Sequence, residues 1–127
     1  MIERTDFIAV PVKDRERAAQ FYGETLGLTK NPNSTETWWE YETGNVTLAL
    51  VSPEHLDMPF APLPFGSIAL RVADMDAARA KLEAAGVEIH GEQWDSGVCH
   101  GLVFNDTEGN GLLIHHRYAA YPDGTMP

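Results

Sequence analysis

Two stretches of the chain carry the same polarity pattern. From Phe7 to Val12, and again from Ser67 to Val72, side chains alternate as they do along a strand half-buried in a sheet. An aspartate follows each run, Asp14 and Asp74. Beyond it the apolar spacing changes to the three-to-four period of an amphipathic helix. Ala18, Phe21, Tyr22 and Leu26 share one face of the first helix, and Ala77, Ala78 and Leu82 are the expected buried face of the second. Asp14 and Asp74 stand where a side-chain carboxylate can accept N–H groups that the first helical turn leaves unpaired. Gly27 and Gly86 stand where a left-handed C-terminal cap is expected.

The two stretches are an internal repeat. At an offset of 60 residues, Ile8 matches Ile68, Ala9 matches Ala69, Val12 matches Val72, Asp14 matches Asp74 and Ala18 matches Ala78. Three strands are predicted after each helix. In the first half they are Leu28 to Asn31, Thr37 to Glu42 and Val46 to Val51, the last two joined through Gly44-Asn45. In the second half they are Val87 to His90, Val98 to Phe104 and Gly111 to Arg117, with the turn "NDTEGN" before the last. The pattern predicts an α+β fold of two βαβββ modules forming a curved mixed sheet, helices on one face. A single domain over 1–127 is expected, with modules at 5–52 and 66–118, a linker at 53–65 and a tail at 119–127. The linker region "SPEHLDMPFAPLP" holds four of the eight prolines.

Composition narrows the partners. The net charge is −10, from nineteen acidic and nine basic side chains. Polyanionic nucleic acid and anionic membrane surfaces both need clustered Lys or Arg, so neither is an expected partner. The one cysteine, Cys99, cannot form an internal disulfide, and on its strand it is expected to act as a small buried hydrophobe. The opening residues "MIERTDFIAV" lack a signal-like apolar run, so a cytoplasmic location is expected.

Three segments carry a family resemblance: "DRERAAQFYGETLGL", "GSIALRVADMDAARAKLEAAGV" and "FNDTEGNGLLIHHRY". Across residues 5 to 118 the chain resembles the vicinal oxygen chelate superfamily. That superfamily includes glyoxalase I, extradiol dioxygenases, and the fosfomycin and bleomycin resistance proteins. Thr107 and Glu108 replace the Pro and Asp of the family's D-P-D-G-N turn. The resemblance implies a cleft on the sheet face away from the helices. Active members hold a divalent metal there through His, Glu or Gln on four strands. The matching positions here are Phe7, Ala49, Ser67 and Leu113, none of which is a good metal donor. A slip of two residues brings in Thr47 or Val51, Ala69 and His115, which is still one good ligand. No metal and no other cofactor is therefore expected.

Alternation assigns the cleft side chains. Phe7, Ala9, Ala49, Ser67, Ala69 and Arg71 are expected to line it. Residues two apart on a strand share a face, so His115 joins Leu113, and His116 joins Leu112 and Ile114 on the other side. A two-residue turn at Gly44-Asn45 puts Glu40 opposite Ala49, and so in the cleft with Trp38. A longer turn would put Trp39 and Tyr41 there instead. The ligand-binding set is then Phe7, Trp38, Glu40, Ala49, Ser67, Arg71, Leu113 and His115, with no catalytic residue assigned. His90 and His100 read as structural or exposed, and nothing singles out His55. Two functions remain open. One is a metal-free binding protein, similar to the dimeric bleomycin resistance proteins, that sequesters a small aromatic or cationic compound. The other is a glyoxalase- or dioxygenase-like lyase, isomerase or oxygenase, working without the usual metal site or with displaced ligands. A homodimer is expected under the first.

Overall fold

A computed structural model describes all 127 residues. The chain forms two compact units. The first comprises residues 1–63 with 107–110, the second residues 64–106 with 111–127. Each carries one mixed four-stranded sheet and one α-helix. No helix is long and apolar enough to cross a membrane.

In the first unit β1 (Phe7–Pro11) leads through α1 (Arg15–Gln20) to β2 (Thr29–Lys30), β3 (Trp38–Glu42) and β4 (Thr47–Val51). The sheet order is β1-β4-β3-β2, with β1 parallel to β4 and the other pairs antiparallel. The Asp14 carboxylate accepts from the Arg17 N–H at 3.1 Å, the expected N-cap. Past Gln20 the helix widens into a π-helical turn, Phe21–Thr25, and ends at Gly27, whose φ is 72°. Ala18, Phe21 and Tyr22 from this segment are buried, as are Val10, Tyr41, Leu48 and Leu50 from the sheet face they cover.

The second unit repeats the plan. Here β5 (Ile68–Arg71) and α2 (Met75–Ala84) precede β6 (Ile89–Asp95), β7 (Cys99–Asn105) and β8 (Gly111–Arg117). The sheet order is β5-β8-β7-β6. Asp74 caps α2 through the Ala77 N–H at 3.0 Å, and Gly86 ends it with φ 70°. Met75 and Leu82 are the buried residues of α2, while Ala77 is exposed and Ala78 half-buried. The alanine stripe misleads because a methyl group is too short to carry the contact. The longer Met75 and Leu82, seven residues apart on the same face, reach the sheet instead. Cys99 also departs from expectation. It is half-buried, with its sulfur 3.0 Å from the Ser96 hydroxyl.

The most consequential polar side chain in the first unit comes from the distant "NDTEGN" turn. The Glu108 side chain is 1% exposed. Its Oε1 accepts the backbone N–H groups of Lys13 at 2.8 Å and Asp14 at 2.5 Å, and its Oε2 accepts from Arg17 Nη2 at 2.5 Å. One carboxylate thus satisfies the corner where β1 hands over to α1. Asn110, fully buried, donates to the Pro11 carbonyl and accepts from the Leu63 N–H, both at 2.8 Å. Removing the Glu108 carboxylate would leave two N–H groups and a guanidinium short of a partner. Glu108→Ala should therefore cost about 2–4 kcal/mol. Urea denaturation would read this as a lower midpoint, with Glu108→Gln losing less than Glu108→Ala.

Candidate functional site

In the first unit, register decides which side chains share the sheet face away from α1. Across β1, β4 and β3, Phe7 lies level with Thr47 and Glu42, Ala9 with Ala49 and Glu40, and Pro11 with Val51 and Trp38. The Thr43 N–H bonds to the Val46 carbonyl at 3.2 Å, so Gly44 and Asn45 form a two-residue turn. That turn sets Glu40 against Ala49 and selects Trp38 with Glu40 for the open face. Tyr41 is buried against the helix side, where burial pushes its hydroxyl pKa up. Trp39 shares that side, sandwiched by Lys30 at 4.0 Å and Arg15 at 5.3 Å from its ring.

Phe7 and Trp38 rise from the strands either side of β4. Their rings meet edge to face, centroids 5.3 Å apart at 88°. Ala49 lies between them on the central strand and is fully buried. The Trp38 indole Nε1 donates to Glu40 Oε1 at 2.8 Å, leaving the second carboxylate oxygen for another donor. Beside this pair is a cavity of about 290 Å³, lined by Ala9, Pro11 and Val51 from the sheet and by Pro53, Leu56, Met58, Pro59 and Ala61 from the linker. The linker wall was not among the sequence-predicted site residues. Its signal was the placing of Leu56 and Met58, both exposed, among prolines.

The open face of the second unit has a different character. Ala69, Leu113 and Val103 form one row, and Arg71, His115, Gly101 and Trp94 form the next. Ser67 adjoins the first row, bonded through its N–H to the Gly111 carbonyl and through its hydroxyl to the Pro64 carbonyl. His115 shares a face with Leu113 and Arg71. His116 is turned the other way, its Nδ1 2.9 Å from the Val72 carbonyl oxygen. Trp94 was missed because β6 was expected to stop at His90. The strand continues through Gly91, at φ 70°, with irregular pairing: His90 faces Val103 and Trp94 faces Gly101. The indole then lies flat on Gly101, where an added Cβ would fall 2.0 Å from Trp94 Cζ2. Its ring centroid is 6.3 Å from that of His115.

On the reverse of this sheet the Asp95 carboxylate accepts from the Gly97 N–H and the Tyr118 hydroxyl, both of which lower its pKa. His100 Nε2 lies 3.3 Å from the same carboxylate. The bond to Asp95 in turn raises the pKa of Tyr118. This cluster closes the β6–β7 end and does not share a face with His115.

A glyoxalase-family metal finds no donor set here. The matching positions are Phe7 and Ala49 in one unit, Ser67 and Leu113 in the other, and only the serine hydroxyl has any donor capacity. No three His, Cys, Asp or Glu side chains come together anywhere in the structure as a metal-binding group. The residues present do not fit such a metal.

The family model for the Glyoxalase/Bleomycin resistance protein/Dioxygenase superfamily matches residues 4–114. The chain belongs to this superfamily. Proteins of known structure resemble it over nearly its whole length. TnmS3, an antibiotic binding protein from Streptomyces sp. CB03234, is 25% identical with a TM-score of 0.75, covering 92% of this chain and 98% of that one. A glyoxalase/bleomycin resistance protein from the same strain is 28% identical with a TM-score of 0.70, covering 88% and 99%. An uncharacterised protein of Mycolicibacterium smegmatis is 28% identical over 108 residues, 85% of this chain and 89% of that protein.

The Gly101–Trp94 contact yields a test of the second face. Gly101→Ala should expel the indole, lowering stability by about 1–3 kcal/mol through overpacking. Acrylamide quenching in a Trp38→Phe, Trp39→Phe background should show Trp94 more accessible than before the substitution.

Proposed function

We propose that this protein is a metal-free binder of small, flat, mostly apolar compounds, aromatic or cationic, which it sequesters rather than transforms. One observation carries the reading: the 290 Å³ apolar cavity of the first unit, walled by linker prolines and flanked by the Phe7–Trp38 pair and the Glu40 carboxylate. Apolar walls with a few placed polar groups are the usual composition of a small-molecule site. An indole face stacks on a planar or cationic group, and the Glu40 oxygen not held by Trp38 can accept from a ligand N–H. The volume lies at the small end of ligand pockets, which run from about 300 to 1,000 Å³. It suits a one- to three-ring compound, or one such moiety of a larger molecule. The antibiotic-binding relative, 25% identical over 92% of this chain, supports a small-molecule ligand.

A thermal-shift screen of flat aromatic and aromatic-amine compounds tests the reading. Hits should raise the melting temperature equally before and after chelator treatment. Ala9 is exposed and lines the cavity, so Ala9→Trp should fill it and abolish the shift while leaving the protein folded. Trp38→Ala should weaken a hit by about 0.5–1.5 kcal/mol beyond lost area. A hit that needs added metal, or that survives Ala9→Trp unchanged, contradicts the proposal.

We also propose a homodimer, as in the bleomycin resistance proteins it resembles. Phe7 at 49% exposure and Phe65 at 71% are large apolar side chains of the kind a second copy would cover. Sedimentation at micromolar concentration should give roughly twice the 14.0 kDa chain mass.

A further inference from the structure

We propose that the open face of the second unit is an anion-recognition subsite, built to take the carboxylate of a planar aromatic compound. This deepens the reading of the protein as a binder of flat molecules and rests on it.

The chain has six arginines. Arg4 pairs with Asp6, Arg17 with Glu108 and Arg79 with Glu83. Arg15 donates to the Glu36 carbonyl and lies over Trp39, and Arg117 donates to the Ala120 carbonyl and lies over Tyr121. The Arg71 side chain alone has no hydrogen-bond, ion-pair or ring partner, in a chain with nineteen acidic side chains available to supply one. It stands not on a solvated helix face but on a β-strand, level with His115, whose ring also makes no hydrogen bond.

The neighbours of the pair are apolar or aromatic. Ala69, Leu113 and Val103 make the adjoining row of the same face. Beyond Gly101 the Trp94 indole lies flat on the sheet, 37% exposed. Gly101 is what permits this, since any side chain there would stand in the plane of the ring. The face therefore offers a planar aromatic surface, a small apolar floor and, at one end, a guanidinium beside an imidazole. A guanidinium binds a carboxylate through two parallel N–H bonds, and the imidazole can add a third. An aromatic ring on the indole with its carboxylate toward Arg71 satisfies every group on the face at once. A cation would meet Arg71 with like charge, so this subsite selects against the amines that Glu40 would accept in the first unit.

The test compares 2-naphthoate with its neutral isostere, 2-naphthamide, by calorimetric titration of the full chain. NMR follows the Trp94 indole N–H in parallel. The acid should bind at least roughly tenfold more tightly than the amide and shift the Trp94 resonance, a ratio expected from one charge-assisted contact. Arg71→Gln should erase the preference by weakening the acid far more than the amide, and His115→Gln should reduce it. Equal binding of acid and amide, or a preference that survives Arg71→Gln, overturns the anion subsite and leaves the broader binding reading standing. Failure of both naphthyl compounds, with no hit in the aromatic screen, overturns the two together.

Discussion

The pairing of Glu40 with Ala49 is the constraint on which the functional reading depends. A β-strand presents alternate residues to opposite faces, so shifting the β3–β4 hairpin by one residue would exchange the two sets of side chains completely. In the observed register Trp38 and Glu40 join Phe7, Ala9 and Val51 on the open face, while Tyr41 enters the core with Leu48 and Leu50. The register is fixed twice. The two-residue Gly44-Asn45 turn sets it from one end, with Gly44 at φ 101°. The burial of Tyr41, Leu48 and Leu50 sets it from the side, because any slip would put three large apolar side chains into the open and charged Glu40 inside.

Most of this was legible in the sequence, and the reasons are local. The repeat at an offset of 60 residues announced two copies of one plan. Asp14, Asp74, Gly27 and Gly86 marked helix ends by chemistry that acts within one turn. Alternation alone put His115 with Leu113 and turned His116 away. What escaped were features that depend on departures from regularity. Trp94 lies beyond an irregular pairing around Gly91, so strict alternation from His90 could not reach it. The cavity wall from Pro53 to Ala61 lies in a segment with no period to read. The buried set on α2 was misjudged because periodicity finds a face but not which side chains are long enough to pack from it. The two βαβββ modules expected from the repeat are both present, each carrying a four-stranded mixed sheet.

The two units use one scaffold for different surfaces. In the first, Ala49 on β4 leaves room for the Phe7 and Trp38 rings to meet, and a proline-rich linker supplies the remaining wall. In the second, Gly101 lets the Trp94 indole pack over it beside the His115 ring, and the Arg71 side chain has no internal partner. Both depend on small residues at sheet centres, where a larger side chain would fill the space a ligand or an aromatic ring needs. The four positions that the family resemblance matches to metal donors are Phe7, Ala49, Ser67 and Leu113. In this chain those positions supply apolar surface and one hydroxyl, which changes what the face can recognise without altering the fold.

If a flat ligand is held by side chains alone at the cavity beside Phe7 and Trp38, a crystal structure of chelator-treated protein with a screened aromatic ligand will show it. The ligand ring should lie in the cavity lined by Ala9, Pro11 and Val51, with Trp38 at aromatic contact distance and no metal ion bound to the ligand. A ligand bound elsewhere, or bound there only through a metal ion, would contradict it.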